Sequence, residues 1–425
     1  MKKKVLLVGP ILTQTGYGEH ARFVYRALKS EKDIFDIYVH PVNWGHSAWL
    51  WEDNEERHEI DALIAKTMLW RQQGGQFDMT LMVTIPSEWP TYRSAPVNIG
   101  ITAGIESSKV SPQWLEAANQ AVDKIIFTSN FSKQMFENTS YSTQHPQTGA
   151  PLRLEFTAKS EVVNYPVKKY DEVDLDLNID TKFNFLCIAQ WGPRKNIENT
   201  IRWFIEEFID LDVGLVLKAN KQGGSTIDKI QTRNNIEQIL REYPEKRCKV
   251  YLLHGYMNND ELHSLYVHPK INGLVSLTHG EGYGLPLFEA AYCGMPIVTH
   301  DWGGQTDFLN AEVKNKKGVV KKKGLYAKVE YDLKQIQPEA VWDGVLQADS
   351  MWAYPKEGKT KMKLRDFYKN YGRYKSQAKK LQKQILKNFD EEKVYKKMVD
   401  AVYEKETFEL EEWLQELEND VEEIE

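Results

Sequence analysis

Cysteine and long apolar runs are both scarce in this chain of 425 residues. Its three cysteines, Cys187, Cys248 and Cys293, lie far apart in apolar surroundings. This spacing argues against a disulfide framework or a cysteine-based metal site, and it predicts buried, reduced thiols in a cytoplasmic protein. No run of about 18 apolar residues is present, which argues against a membrane-spanning helix.

The start of the chain lacks the apolar length of a secretion signal. Residues 2–4 are lysines and residues 5–8 are aliphatic, but Pro10 follows almost at once. A signal peptide needs an apolar stretch of roughly 7 to 15 residues. We therefore expect a first β-strand here.

The net charge is small but unevenly distributed. Of the formal charge of −6, residues 403–425 contribute −10, from eleven acids and Lys405, which leaves +4 for the rest. Basic residues cluster in 314–323 and 356–397. We interpret both clusters as solvated surface. The alternative is a positively charged face that binds an anionic partner. The acidic tail would then compete for that face or keep the protein soluble.

The first part of the chain alternates strand-like and helix-like segments. We expect strands at 5–8, 37–40, 79–85, 97–101 and 124–128, and helices at 19–29, 56–72, 112–122 and 130–137. This alternation is typical of a mostly parallel sheet covered by helices on both faces. The polar stretch 139–160 predicts a long loop.

The second part repeats the pattern. We expect strands at 183–189, 213–218, 249–253, 272–277 and 296–299, an amphipathic helix from residue 197, and a helix capped by Asn259. Beyond residue 330 we expect helices. The fold class is thus α/β, with two doubly wound, Rossmann-like lobes facing a cleft. We expect domains at 1–170 and 171–375, followed by a helix and acidic tail at 376–425.

Residues 279–294 are the most informative segment. They begin His-Gly-Glu-Gly-Tyr-Gly-Leu-Pro and place Glu281 and Glu289 eight positions apart. Apolar runs of strand length flank the segment, while Pro286 and Gly294 mark the start and end of a short helix. The segment therefore predicts a strand, a glycine-rich loop, a helix and a second strand.

Such a unit collects ligands at the carboxyl end of its strand, against the helix N-terminus. The free N–H groups there suit a phosphate, and Gly282 and Gly284 allow the backbone to approach it closely. Two acids beside an anion would repel it, so Glu281 and Glu289 are expected to accept hydrogen bonds from hydroxyl groups. Phosphate together with several hydroxyls is the chemistry of a nucleotide sugar.

Glu281 and Glu289, with the glycines and Leu-Pro between them, resemble the signature of retaining GT-B glycosyltransferases of the family-4 group. The resemblance implies GT-B architecture for nearly the whole chain, with a C-terminal helix, here within 375–402, crossing back to the first lobe. It places Glu289 on the ribose hydroxyls and Glu281 near the transferred sugar. The backbone of the residues between them is expected to face sugar and phosphate; these are Gly282, Tyr283, Gly284 and Leu285.

Other candidate donor contacts follow strands of the second lobe. Arg194 and Lys195 open a helix at the cleft, where two cations can neutralise a diphosphate leaving group. The usual arginine-to-lysine spacing in the resembled family is longer than here. Lys218 and His254 each stand at a strand end and resemble positions near the nucleotide. A surface pair of cations and a structural histidine are the alternatives.

In the first lobe, Gly16 and Gly18 lie in the loop after the first strand. They do not form a GxGxxG fingerprint, and the second strand ends at His40 without an acid for a ribose. This argues against a dinucleotide-dependent dehydrogenase. We expect the loop to close over donor phosphates or acceptor, or to be a tight turn. Glu106 resembles a cleft-facing family residue that serves the acceptor hydroxyl; the alternative is a helix cap.

The resemblance implies a retaining hexosyltransferase that needs no cofactor and no obligatory metal. In the expected same-face attack, the leaving phosphate oxygen takes the acceptor's proton, while the protein aligns the reactants and stabilises charge. UDP-glucose is the commonest donor type for such a resemblance. A hydrolase would need paired acids across a scissile bond, whereas Glu281 and Glu289 lie beside phosphate ligands.

The acceptor is open at this stage. A glycan, a lipid-linked glycan or a small molecule in the cytoplasm is the first expectation. Residues 14–22 also resemble openings of tailed-phage glycosyltransferases, and the lysine-rich segments suit a phosphate backbone, so a hydroxymethylated DNA base in the host cytoplasm is the alternative. A non-catalytic GT-B binding module is a third class. Oligomeric state is open too.

Overall fold

The structure, a computed structural model, describes residues 2–44, 47–144, 149, 151–314 and 320–403. Two six-stranded sheets organise it, one in each lobe. All strand pairs within both sheets are parallel. The predicted fold class, two doubly wound α/β lobes, is confirmed.

The first lobe contains β1 (Lys3–Gly9), α1 (Gly16–Ser30), β2 (Phe35–Pro41), α2 (Glu55–Gln72), β3 (Met79–Val83), α3 (Trp89–Tyr92), β4 (Val97–Thr102), α4 (Pro112–Gln120), β5 (Lys124–Phe127), α5 (Asn130–Asn138), β6 (Ser140–Gln144), β7 (Pro151–Glu155) and β8 (Ser160–Val162). Its sheet has the order β2-β1-β3-β4-β5-β8.

The second lobe contains β9 (Phe183–Gln190), α6 (Ile197–Phe208), β10 (Val213–Asn220), α7 (Thr226–Leu240), β11 (Lys249–Leu253), α8 (Asn259–Val267), β12 (Gly273–Val275), α9 (Leu285–Tyr292), β13 (Ile297–Thr299), α10 (Thr306–Leu309), β14 (Asn310–Lys314), β15 (Val320–Gly324), β16 (Ala327–Lys328), β17 (Tyr331–Gln335) and β18 (Met351–Pro355). Its sheet has the order β11-β10-β9-β12-β13-β16. Helices α11 (Glu357–Lys369), α12 (Tyr371–Asn388) and α13 (Glu391–Val402) follow.

The central strands of both six-stranded sheets are buried on both faces, which explains their continuous apolar runs. In β1, Val5 and Leu7 join an apolar cluster that continues into the second lobe, while Leu6 and Val8 join another on the opposite face of the sheet. In the second lobe, every apolar residue of the predicted stripe on α6 is buried; these are Ile197, Ile201, Phe204, Ile205 and Phe208. The 3.6-residue period therefore identified the helix face that covers the sheet.

The C-terminal helices cross between the lobes, as predicted. On the second lobe, α12 packs against α9, and Gln382 donates a hydrogen bond to the Tyr292 carbonyl at 2.9 Å. On the first lobe, α13 packs against α1. The acidic tail beyond residue 403 lies outside the described residues, as does the middle of the basic cluster at 314–323.

Three expectations about local structure were wrong. Residues 139–160 are not a long loop, because β6 and β7 pair as an antiparallel hairpin that lies mostly at the surface. The chain beyond residue 330 is not purely helical, because β17 and β18 form a second hairpin. The cap of α8 is Asn258, whose side chain accepts the N–H of Glu261 in a capping box, and not Asn259.

Residues 163–182 connect the two sheets without a regular element. The exact domain bounds at 170 and 375 stay predictions. Among the described residues, no helix is both long and apolar enough to cross a membrane.

Candidate active site between the lobes

The segment with the two glutamates forms the predicted strand, loop, helix and strand. The loop of residues 279–284, which we call the glycine loop, follows β12 and leads into α9. Gly284 caps the helix at a φ of +93° and Gly294 ends it at +75°, values that residues with a Cβ rarely adopt. Pro286 stands in the first turn of the helix. The backbone itself therefore requires glycine at positions 284 and 294.

Four charged side chains meet where the glycine loop faces the first lobe. The Lys195 ammonium lies 2.5 Å from the carboxylate of Glu281. Arg194 lies 3.3 Å from Glu281 and 3.1 Å from Glu106, which comes from the opposite lobe. We call Arg194, Lys195, Glu281 and Glu106 the charge cluster. All four residues predicted as catalytic are thus brought together.

A short 3-10 turn, Pro193–Lys195, places the two cations. Asn196 ends this turn in the left-handed region, at a φ of 51°, and its side-chain amide donates to the Leu277 carbonyl at 3.0 Å. The His279 N–H donates to the Arg194 carbonyl at 2.7 Å. The turn is therefore fixed to the glycine loop by its backbone as well as by the charged groups.

Burial and mutual attraction set the ionisation of the cluster. Burial alone would raise the pKa of Glu281, but Lys195 and Arg194 lower it to about 2. Burial and the neighbouring Arg194 lower the pKa of Lys195, while the pKa of Arg194 is raised because Glu106 and Glu281 outweigh its burial. Glu281 is therefore a carboxylate at neutral pH, and Arg194 carries its charge beside it.

A small pocket lies beside the cluster, at the carboxyl end of β9. Its walls include Ala189, Thr278, Gly284 and Pro286, and both Lys195 and Glu281 reach into its lining. Cys187 also borders the pocket, but burial raises the pKa of its thiol to about 12. The cysteine therefore stays protonated and is not a nucleophile at neutral pH.

Glu289 lies one turn into α9, as predicted, but it faces protein groups that the sequence had not identified. Its carboxylate accepts a hydrogen bond from the Tyr266 hydroxyl at 2.7 Å. Burial raises the pKa of Glu289, and the nearby Lys168 acts in the opposite direction. Lys168 belongs to the connection between the lobes and forms an ion pair with Glu19 of α1. No motif marked Lys168 or Tyr266, because their proximity arises only from the tertiary fold.

Lys218 and His254 contact the loops that follow β11 and β10. Lys218 donates to the carbonyl of Gly255. His254 is buried and lies 3.3 Å from the Asp228 carboxylate, which accepts backbone N–H groups of the loop that follows β10. The side chain of His254 thus supports this loop instead of standing free in the cleft.

The remaining residues predicted to bind the donor have side chains that are buried or half-buried, or are glycines without a side chain. The ring of Tyr283 is buried in the core against Tyr165 and Phe288. Leu285 opens α9 and is half-buried. In the first lobe, Gly16 begins α1, and Gly18 packs so tightly that a Cβ there would lie 2.2 Å from the Thr13 carbonyl oxygen. The first-lobe loop is thus a close-packed turn at a helix start.

The lobes touch directly at the glycine loop. A Cβ on Gly280 would lie 2.1 Å from the Glu106 carbonyl oxygen, and one on Gly282 would lie 2.5 Å from that of Ala103. The Ser129 hydroxyl donates to the Gly282 carbonyl at 2.6 Å. Glycine at 280 and 282 is therefore what allows the two backbones to meet. Among the described residues, no group of three or more histidine, cysteine or acidic side chains is placed to hold a metal.

Comparison with known sequences gives a family match and distant relatives. Residues 232–335 match the family described as glycosyl transferases group 1. Serotype-specific mannosyltransferases WbdA of Escherichia coli are 26% and 28% identical over 118 and 119 residues, which is 28% of this chain and 13% of theirs. The chain thus spans about an eighth of the length of these relatives.

Solved structures match over almost the whole chain. Anabaena HepE in complex with UDP-glucose is 13% identical with a TM-score of 0.59, covering 94% of this chain and 99% of that one. Sucrose-phosphate synthase from Thermosynechococcus elongatus is 13% identical with a TM-score of 0.61, covering 93% and 97%. A glycosyltransferase from Rickettsia africae is 12% identical with a TM-score of 0.58, covering 95% and 98%. The fold is that of the GT-B glycosyltransferases.

Proposed function

We propose that this protein is a retaining glycosyltransferase. It transfers a hexose, glucose in the first instance, from a nucleoside diphosphate sugar to a hydroxyl group of a glycan, a lipid-linked glycan or a small molecule. The observation that carries the proposal is the charge cluster, in which two cations and two carboxylates from opposite lobes meet at the N-terminal end of α9. The match of residues 232–335 to a glycosyltransferase family supports it.

In this proposal the two cations stabilise a diphosphate leaving group. Breaking the bond between sugar and phosphate leaves negative charge on the phosphate oxygen, and preorganised cations stabilise that charge. Lys195 and Arg194 are held by Glu281 and Glu106, so little reorganisation is required when the charge develops. N–H groups at the start of α9 add the positive end of a helix.

The carboxylates have different tasks in this proposal. Glu281 stays ionised, so it accepts hydrogen bonds from sugar hydroxyls or stabilises positive charge on the sugar ring. Glu289, with Tyr266 beside it, receives the ribose hydroxyls. Glu106 comes from the first lobe and orients the acceptor hydroxyl. In same-face attack the departing phosphate oxygen accepts the acceptor's proton, and therefore the protein supplies no strong base.

The proposed donor is a UDP-sugar, for which UDP-glucose in the complex of Anabaena HepE is the support. The relatives in Escherichia coli are mannosyltransferases, so nucleotide sugars that carry mannose belong in the same test. A panel of nucleotide sugars measured by thermal shift identifies the donor, because a ligand that binds only the folded state raises its stability. A panel in which no nucleotide sugar raises the melting temperature would contradict the proposal.

Catalysis is tested by transfer of labelled hexose to a panel of acceptors. Lys195→Ala is expected to lower kcat by about 100-fold or more, in keeping with the loss of one preorganised charge contact. Lys229→Ala removes an exposed lysine of α7 and is the matched control, expected to keep wild-type activity. Product analysis by NMR then distinguishes retention from inversion at the anomeric carbon.

One observation favours DNA as the second candidate acceptor. Helix α12 carries Arg373 and five exposed lysines and no acidic residue; the lysines are Lys375, Lys379, Lys380, Lys383 and Lys387. A surface of this kind suits a phosphate backbone. A duplex containing hydroxymethylcytosine therefore belongs in the acceptor panel. Labelled DNA, with an affinity that falls steeply as salt rises, would select this acceptor over a glycan.

A further inference from the structure

A segment of the second lobe reaches across the cleft beside the charge cluster. Residues 342–353, which we call the strap, extend from the turn at Trp342 into β18. Both strands of the hairpin that contains the strap pack on the second lobe, because the Tyr331 ring lies against that of His300 and the Ala353 N–H donates to the His279 carbonyl. The middle of the strap nevertheless packs on the first lobe.

The strap contacts the first lobe through one buried apolar side chain, a hydrogen bond and an ion pair. Val345 is buried in the first-lobe cluster that contains Trp114. The Ser111 hydroxyl donates to the Gly344 carbonyl at 2.7 Å, and Lys109 lies 2.5 Å from the Asp349 carboxylate. The strap is therefore anchored to the stretch of the first lobe that follows Glu106.

Near its end the strap bonds to both lobes within three residues. Met351 accepts the Ser108 N–H at 3.1 Å and donates its own N–H to the Ser108 hydroxyl at 2.8 Å. Ala353 donates its N–H to the His279 carbonyl at 2.9 Å and accepts from the His279 ring at 2.8 Å. Trp352, between them, is fully buried and stacks on the His279 ring at 5.6 Å.

These bonds have a consequence for the charge cluster. Ser108 stands two residues after Glu106, and His279 stands two residues before Glu281. The strap therefore holds the two backbone segments that carry the carboxylates of opposite lobes. Between these segments Arg194 contacts both acids.

We propose that the strap is a positioning element that sets the distance between Glu106 and Glu281. This inference rests on the proposed function for its kinetic consequence only. Because a misplacement of about 1 Å in a reacting group can cost about 100-fold in rate, a released strap lowers kcat. It changes the donor KM less than kcat, since Lys218 and Glu289, the residues predicted near the nucleotide, lie outside its contacts.

The test uses the full chain with Val345→Asp, which places a charge in the first-lobe core and detaches the strap. Leu333→Asp is the matched control, because Leu333 is 47% exposed on the same hairpin. Val345→Ile keeps the apolar anchor and is expected to behave as wild type. A second route, Ser108→Ala, removes only the hydroxyl that binds Met351, and Ser108→Thr is expected to restore that bond.

Two readouts are measured on each variant. Hydrogen exchange, followed by mass spectrometry, is expected to accelerate in both 105–111 and 279–283 in Val345→Asp and to stay at the wild-type rate in Leu333→Asp. In hexose transfer, kcat is expected to fall at least 10-fold with the donor KM changed less than 3-fold, by the positional sensitivity given above.

Two results would overturn the positioning role. One is a hydrogen-exchange rate in 279–283 that stays at the wild-type value while the rate in 105–111 rises. The other is a donor KM that rises while kcat stays unchanged. If wild type transfers no hexose, the proposed function fails, whereas the exchange experiment still decides whether the strap couples the two segments.

Discussion

The pair of Lys195 and Glu281 allows a quantitative test of the charge cluster. Removing one partner of a buried ion pair costs about 3–5 kcal/mol, because the other charge remains buried alone. Here Arg194 stays beside Glu281, and the side chain of Lys195 is 20% exposed. We therefore expect Glu281→Gln and Lys195→Met each to lower the free energy of unfolding by about 3 kcal/mol, the lower end of that range.

The dependence of stability on pH provides an independent estimate of the energy of this ion pair. One pKa unit corresponds to about 1.4 kcal/mol. The fall of the Glu281 pKa from 4.5 to about 2 thus corresponds to roughly 3 kcal/mol of stability in the wild type. Since the folded-state pKa is the lower one, this stability is fully present above about pH 4.5 and is lost as the pH falls to about 2. The Glu281→Gln variant lacks this part of the loss of stability at low pH.

The assay is urea unfolding followed by tryptophan fluorescence at pH 7, with wild type, both single variants and the double variant. The two losses are expected to overlap, so the double variant should lose about 1–3 kcal/mol less than their sum, as contacting residues do. Repeating the series between pH 5 and pH 2.5 tests the linkage. Strict additivity at pH 7, together with equal acid dependence of wild type and Glu281→Gln, would refute the ion-pair reasoning.

Further predictions concern other parts of the molecule. In Gly282→Ala the new Cβ would lie 2.5 Å from the Ala103 carbonyl oxygen and push the lobes apart. We expect hexose transfer to fall at least 10-fold and the radius of gyration in X-ray scattering to increase. Gly192→Ala, whose new Cβ has open space around it, is the control. Burial lowers the pKa of His20 to about 3, so the folded wild type should lose stability in urea unfolding between about pH 6.5 and pH 3. The loss over this range should be smaller in His20→Leu, which lacks the imidazole. Excess chelator is expected to leave hexose transfer unchanged, and a loss that added Mg²⁺ or Mn²⁺ restores would contradict this.

The sequence predicted the fold class because periodicity and punctuation are local properties. The buried face of α6 and the helix between Pro286 and Gly294 both follow from residue spacing. The hairpin of β6 and β7 was missed for a local reason as well. β6 reads Ser-Tyr-Ser-Thr-Gln, with few apolar residues to mark it, and its partner β7 lies mostly in solvent.

For the candidate site, sequence reasoning found the charged residues but not their supports. Glu281, Lys195 and Arg194 stand at strand ends or helix starts of one lobe, where parallel topology brings side chains together. The cross-lobe partners, such as Lys168 near Glu289 and Ser108 hydrogen-bonded to Met351 of the strap, are set by how the lobes pack. Nothing in residue spacing within either lobe carries that information.

The contacts between the lobes differ in kind from one end of the cleft to the other. At the glycine loop they are polar, as in the bond from Ser129 to Gly282 and the contact of Arg194 with Glu106. Near residues 163–170 a buried apolar cluster adds to the polar contacts, with α13 packed on α1 and the ring of Phe23 against those of Tyr165 and Tyr395. Single hydrogen bonds contribute about 0.5–1.5 kcal/mol net, whereas burying one aliphatic side chain contributes about 1.5–3 kcal/mol. Separation of the polar end is therefore less costly than separation of the apolar end. We expect the lobes to open about the α1–α13 side, with the apolar anchor of the strap at Val345 resisting that motion.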